Sequence, residues 1–261
     1  LAVRPGLADR EALARTTGGE PTVLSPYGVT LGGGAPRGLA DVDAGFVGVQ
    51  DEGSQVVAAA LTSAAARPPS AGERWLDACA GPGGKTALLG SIAAQREAHV
   101  DAVELHPHRA RLVEQNVRAL PPGVVSVHVE DVTTWEGGPY DRILLDAPCT
   151  GIGALRRRPE SRWRRSEADL RDLSALQARL LSHAATLLAP GGVIAYVTCS
   201  PVLSETTGVV SGSGLRLLDA RAAVAEVTGT GVDRWGTDAD VQMWTHLHGT
   251  DSMYLAMLAV D

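Results

Sequence analysis

Lysine is almost missing from this chain: of its 23 basic residues only Lys85 is not an arginine. Phenylalanine is reduced to Phe46, and aromatic residues make up 4% of the whole. Cysteine is scarce as well. Its three positions, 79, 149 and 199, fit neither a disulfide framework nor a zinc site, which points to a reducing cytoplasm. No apolar run approaches the roughly 20 residues of a membrane span, so no membrane partner is expected. His106, His108, His246 and His248 show no metal-ligand spacing, and no metal is expected either. The opening Leu1-Ala2-Val3-Arg4-Pro5-Gly6 has neither a start methionine nor a secretory signal and reads as a fragment boundary. What is present is 44% hydrophobic residues in a chain of 261, a globular composition able to bury a large core as one long domain or one domain with an appendage. The formal net charge of −7 argues weakly against nucleic acid, but its distribution matters more than its sum. Six arginines (Arg156, Arg157, Arg158, Arg162, Arg164 and Arg165) crowd into ten residues with Glu160 as the only acid among them.

The chain is organised around Trp75-Leu76-Asp77-Ala78-Cys79-Ala80-Gly81-Pro82-Gly83-Gly84-Lys85-Thr86. Apolar residues run into a Gly/Pro-rich turn, and a helical pattern follows. A strand, a tight glycine turn and a helix N-terminus suit a ligand that needs close backbone approach and amide donors. The spacing is neither that of a P-loop nor Gly-x-Gly-x-x-Gly, so a plain tight turn remains an alternative.

From residue 73 strands and helices alternate. Strands are expected at 75–78, 99–104, 124–129, 140–145 and 193–197, with helices at 85–95, 107–120 and 168–188, the last stopped by Pro190-Gly191-Gly192. Upstream, a short helix is expected at 9–15, weak strands in 22–31 and 46–50, and an alanine-rich helix at 54–66 ended by Arg67-Pro68-Pro69. Apolar runs at 215–218 and 254–260 read as a final antiparallel hairpin, and 204–214 is too rich in Ser, Thr and Gly for a full crossover helix. Nearly uninterrupted apolar strands separated by helices predict an α/β fold, a mostly parallel sheet with helices on both faces. Gly81, Glu104, Asp131, Asp146, Cys149 and Cys199 all fall at the carboxyl ends of strands, the edge where such sheets carry ligands.

Each residue also has a bland reading. Glu104 can accept both hydroxyls of a ribose or simply cap a helix; Asp131 can accept from an adenine amine or lie free at the surface. Arg109, opening the next helix, is a cofactor contact or the structural partner of an acid. Asp146 leaves a buried strand into Pro148-Cys149, where an unpaired acid is costly. A single cysteine is usually a small buried hydrophobe, and Cys79 belongs in that class. Cys149 and Cys199 leave strands that are adjacent in the chain, so their thiols can face one crevice. The arginine cluster with Trp163 suits phosphates and a stacked base, or a solvated face.

With these residues in place, the chain resembles the Sun/Fmu family of bacterial ribosomal RNA (cytosine-5)-methyltransferases. The resemblance covers most of 46–201 and resumes near the C-terminus. Five blocks carry it: 46–55; 77–86; Asp146-Ala147-Pro148-Cys149-Thr150-Gly151-Ile152-Gly153; 156–163; and Tyr196-Val197-Thr198-Cys199-Ser200. It implies a Rossmann-like class I methyltransferase fold. It also implies S-adenosylmethionine on the turn Cys79-Ala80-Gly81-Pro82-Gly83-Gly84-Lys85, with Glu104 at the ribose, Asp131 at the adenine and Arg109 nearby. Asp146 would stand near cofactor and base, Cys199 would be the nucleophile, and Cys149 would help release the product. RNA would lie against Arg156, Arg157, Arg158, Arg162 and Trp163. The implied substrate is a cytosine of ribosomal RNA, 16S in particular, methylated by a monomer through a covalent cysteine–base adduct. Transfer RNA is the alternative substrate, and a non-catalytic RNA-binding scaffold the alternative class. Residues 1–45 are expected to be part of an N-terminal RNA-recognition or linker subdomain, and 46–261 the catalytic domain. Three departures from the family pattern stand out: Gly81 in place of a usual alanine, the short segment after Pro201 that retains Glu205, and the absence of an upstream helical RNA-binding domain.

Overall fold

A computed structural model describes residues 1–64 and 70–261. The buried helix α1 (Glu52–Ser63) is N-capped by Asp51 and leads towards the main sheet. The chain then runs through β1 (Arg74–Asp77), α2 (Gly84–Gln95), β2 (His99–Val103), α3 (Pro107–Val117) and β3 (Val125–His128). It returns through β4 (Tyr140–Asp146), α4 (Glu167–Thr186) and β5 (Leu188–Thr198). These five strands pair in parallel, β1 lying between β2 and β4. The short α5 (Thr207–Ser211), then β6 (Arg216–Leu218), α6 (Ala220–Thr228), β7 (Val241–Gln242) and β8 (Tyr254–Ala259) complete the chain. β8 is antiparallel to β5 and takes β6 and β7 as antiparallel partners. The eight-stranded sheet has the order β6-β8-β5-β4-β1-β2-β3, with β7 beside β8.

The period of two along each strand divides the core between the two faces. Trp75, Leu144, Ala195 and Val197 pack with Val57 and Leu61 of α1 and Leu88 of α2. Leu76, Ile143, Leu145, Ile194 and Tyr196 pack with Leu180 and Leu181 of α4. Strand order reverses between β1 and β4, so their carboxyl ends diverge into a crevice.

Differences from the expected elements have local causes. α4 starts one residue early because Ser166 and Asp169 form a capping box, and it ends at Thr186. Leu188 therefore belongs to β5, where it pairs with Tyr140, and Pro190-Gly191-Gly192 interrupts the ladder before Val193 pairs with Arg142 instead of stopping a helix. The segment after Pro201 does form helix, but only as a 3-10 turn at Leu203–Glu205 and the five-residue α5. The expected end of the 54–66 helix at Arg67-Pro68-Pro69 lies outside the described residues. At the N-terminus a helix at Arg10–Thr17, capped by Asp9, and two strand pairs close a small core of Val3, Leu13, Ala14, Val29 and Val47. Glu52 of α1 holds this layer by accepting from the backbone N–H groups of Leu24 and Ser25.

A buried ion pair joins α1 to the sheet. Arg142 Nε donates to Glu73 Oε2 at 2.8 Å, and its guanidinium also donates to the Leu61 and Ala64 carbonyls at the helix end. Trp75 Nε1 donates to the same carboxylate oxygen at 2.7 Å. Burial raises the Glu73 pKa, but the bonds from Arg142 and Trp75 outweigh it and hold the carboxyl below its ordinary value. The stabilisation is accordingly present above the unfolded pKa and is lost as pH falls through the folded one. Glu73→Ala, which strands a buried guanidinium, should cost about 3–5 kcal/mol in urea unfolding at neutral pH. A loss below about 1 kcal/mol, the scale of an exposed pair, would remove this pair from the account.

Candidate active site

At the divergence of β1 and β4 lies a cleft of about 450 Å³ whose lining includes Asp77, Lys85, Asp146, Cys149, Arg157 and Cys199. The glycine turn forms one wall. Gly83 caps α2 at φ 102, a conformation that other residues rarely adopt. Gly81 has a different reason to be glycine: a Cβ there would stand 2.4 Å from Glu104 Oε2. Its absence lets Glu104 fold back onto the turn, where Oε2 accepts from Gly81 N and Oε1 from His106 N, each at 2.9 Å. Arg109 makes the acid pair allowed for it, 3.6 Å from Glu104, and also donates to the Gly81 carbonyl. Cys79, Ala80, Gly81, Pro82, Gly84, Lys85 and Arg109 line the cleft. Glu104 stands buried behind this wall. Asp131 is exposed after β3, where it accepts from Thr133 and caps a short turn, and these bonds hold its carboxyl below the ordinary range.

The floor is densely charged. Asp77 is buried at the end of β1; Oδ2 accepts from Thr86 Oγ1 at 2.7 Å, while Oδ1 has no partner among the described residues. Burial pushes this carboxyl up to about 7. Lys85 Nζ donates to Asp146 Oδ2 at 2.7 Å. Burial pulls the ammonium pKa down, but Asp146 more than offsets this and raises it overall.

Cys149 Sγ and Cys199 Sγ lie 3.4 Å apart. Two thiolates cannot share that space, so one sulfur keeps a proton and donates it to the other. The surroundings decide which. Cys199 is held below the ordinary thiol value chiefly by the bond from Cys149, with Lys85 helping against burial and the charges of Asp146 and Asp251. Cys149 is pushed well above it by the same bond, by burial, and by the charges of Cys199, Glu205 and Asp146. Cys199 is thus the more acidic of the two thiols and Cys149 the less acidic. Burial raises Cys79, which keeps it the packing residue its sequence context indicated.

The arginine cluster divides. Arg156 donates to buried Asp51 at 3.0 Å, and Arg157 forks onto buried Asp251. Arg158 lines the cleft, and Trp163 is 82% exposed beneath the Arg162 guanidinium, 5.3 Å from its ring centroid. Arg156 and Arg157 are thus engaged with carboxylates, whereas Arg158 reaches the cleft and Arg162 covers Trp163. Reading the residues alone missed Asp77, Asp51, Asp251 and the part played by Glu205. Asp51 sat inside one of the quoted blocks; Asp251 gave no signal, because its partners are about 94 and 200 positions away.

A doubly wound sheet with a glycine turn after β1 and an acid after β2 defines a class I S-adenosylmethionine-dependent methyltransferase. The chain belongs to the family described as 16S rRNA methyltransferase RsmB/F, whose model matches residues 64–259. It is 49% identical over 264 residues to a protein of Mycobacterium tuberculosis named as a methyltransferase, covering 99% of this chain and 56% of that one. It is 36% identical over 180 residues to ribosomal RNA small subunit methyltransferase B of Shewanella oneidensis, covering 68% and 40%. Among solved structures, NSun6 from Pyrococcus horikoshii, determined with SFG, is 25% identical with a TM-score of 0.70, covering 89% of this chain and 59% of that one. The chain thus spans about half the length of the curated relatives it matches.

The electrostatic asymmetry of the thiols is directly measurable. Alkylation of Cys199 by iodoacetamide, followed across pH by peptide mass spectrometry, should have its midpoint below that of an ordinary thiol. Lys85→Met removes the nearby cation and strands Asp146, so the midpoint should move up and the rate at neutral pH should fall. An unchanged midpoint in the folded variant would exclude Lys85 as a source of the activation.

Proposed function

We propose that this protein methylates carbon 5 of a cytosine in ribosomal RNA, 16S rRNA in particular, through a covalent adduct with Cys199. The observation that carries the reading is the pair of cysteine sulfurs 3.4 Å apart on the wall of the cleft. The family description and the relatives named for ribosomal RNA support that substrate over transfer RNA. A scaffold has no use for an activated thiol facing an open cleft, which argues against the non-catalytic alternative.

The residues present fit S-adenosylmethionine. The glycine turn that opens α2 lines the cleft and allows close backbone approach, and Asp77 Oδ1, without a partner among the described residues, offers an acceptor for a cationic group. Glu104 keeps acceptor capacity beyond its two backbone bonds, since a carboxylate has about four lone-pair sites. When bound, the cofactor supplies an electrophilic methyl group.

Carbon 5 of cytosine is a weak nucleophile until something adds at carbon 6. Cys199 Sγ forms that bond, and the electrons of the 5,6 double bond move towards carbon 5 and the ring carbonyl. Asp146 with its Lys85 partner stands in the cleft to hold a proton at the ring nitrogen and stabilise the developing charge. After methylation the carbon 5 proton must leave to a base, the double bond reforms, and the sulfur–carbon bond breaks. Cys149 suits this step for an electrostatic reason. Once Cys199 is a neutral thioether, the leading cause of the raised Cys149 pKa disappears, so Cys149 can lose its thiol proton to solvent through the open cleft and its thiolate can then accept the proton of carbon 5. Arg158, Arg162 and exposed Trp163 lie where phosphates and a stacked base can be held beside the cleft.

Replacing each cysteine separates these stages. With cofactor and 16S rRNA, Cys199→Ala should give neither methylation nor adduct. Cys149→Ala should still attack and transfer but stall before release, leaving a protein–RNA band that survives a denaturing gel. A stable adduct with Cys199→Ala and none with Cys149→Ala would reverse the assignment. Folded variants that bind RNA and yield no adduct in either case would leave Cys149 without a role in release.

A further inference from the structure

Glu205 is completely buried in the 3-10 turn that follows Cys199, and it is absent from the lining of the cleft. No ion pair of Glu205 occurs among the described residues. Its carboxylate nevertheless gathers a full set of hydrogen bonds. Oε1 accepts from the backbone N–H of Thr150 at 2.7 Å and from Gln177 Nε2 at 3.2 Å. Oε2 accepts from Ser200 Oγ at 2.6 Å and from Thr150 Oγ1. Thr150 directly follows Cys149 and Ser200 directly follows Cys199. One buried acid thus grips the chain one residue beyond each sulfur.

The grip is anchored to the regular structure behind it. Gln177 of α4 also donates to the Pro148 carbonyl at 2.8 Å, fixing the residue before Cys149. Tyr196 of β5 donates from its hydroxyl to the Glu205 carbonyl at 2.8 Å. Direct backbone bonds also tie these segments, from Ala147 N to the Val197 carbonyl and from Gly153 N to the Cys199 carbonyl, each at 2.9 Å. A Cβ on Gly153 would lie 2.8 Å from that carbonyl oxygen, so this approach is as close as a backbone permits.

We propose that Glu205 is a positioning residue for the reaction: its carboxylate clamps the Cys149 loop to the Cys199 loop and so keeps the two sulfurs in hydrogen-bonding contact. The proposal rests on the reading of these thiols as the reacting groups, but it concerns their geometry in the free protein. Glutamine cannot replace the acid without loss. A carboxylate presents two acceptor oxygens, whereas the amide of glutamine presents one, and its NH2 would face donors. A purely structural buried acid would affect stability alone. A clamp also sets the proton-sharing contact between the sulfurs, and therefore the ionisation of Cys199.

The test is iodoacetamide alkylation of Cys199 across pH, without RNA or cofactor, in wild type, Glu205→Gln, Cys149→Ala and the double variant, with thermal unfolding followed in parallel. Glu205→Gln should raise the midpoint towards that of Cys149→Ala and slow alkylation at neutral pH roughly tenfold, about one pKa unit. The double variant should shift no further than Cys149→Ala alone, because the clamp acts through that thiol. A folded Glu205→Gln with the wild-type midpoint would overturn the proposal, and so would shifts that add in the double variant. Should Glu205→Gln fail to fold, Ser200→Ala removes one arm of the clamp and should give a smaller shift in the same direction; no shift there also overturns it. Failure of the methylation reading looks different: wild type would show the low midpoint and transfer no methyl group to RNA.

Discussion

Two sulfur atoms at 3.4 Å, in a cleft closed behind by carboxylates, can carry one negative charge between them and not two. That constraint gives the site its direction. The bond from Cys149 lowers Cys199, with Lys85 helping, while the same bond, burial and the charges of Glu205 and Asp146 raise Cys149. The fold supplies the pair by setting β4 and β5 side by side in parallel, so that both strands deliver their following loops to one edge.

The balance is economical. Lys85 is the only lysine in the chain, and it is placed where a compact ammonium can serve Asp146 and Cys199 together. Arginine, with its planar fork, is better suited to carboxylates held in fixed pairs, and Arg156 and Arg157 use it that way on Asp51 and Asp251. Those pairs join the segment before α1, the loop after Cys149 and the approach to β8 across the cleft mouth. Of the cluster's other four arginines, Arg162 lies over the uncovered Trp163, Arg158 and Arg165 line the cleft, and Arg165 donates to the Thr150 carbonyl.

Much of this was legible before any coordinates. The parallel strands, the crevice at their carboxyl ends and the convergence of Cys149 and Cys199 follow from strand periodicity and from where the unusual residues fall. The tail pair was legible too: 215–218 and 254–260 meet as β6 and β8, although they are not a hairpin, since α6 and β7 intervene. The strand start at Leu188 was not legible, because Pro-Gly-Gly reads as a stop and only pairing with Tyr140 reveals a bulge. Nor was Gly81, which as a departure from an alanine pattern gave no hint that it lets Glu104 reach the turn amide. The Asp51–Asp251 contact and the grip of Glu205 on Thr150 join residues about 200 and 55 positions apart, and polar partners at such separations leave no periodic trace.

The central claim is that the cleft activates carbon 5 of a cytosine and not an amine or a ribose hydroxyl. It is tested most directly with 16S rRNA carrying tritium at carbon 5 of its cytosines, incubated with the protein and S-adenosylmethionine. The account predicts tritium released to water in step with methyl groups incorporated, and neither in Cys199→Ala. Methyl incorporation with the tritium retained would place the methyl on another atom and contradict the account.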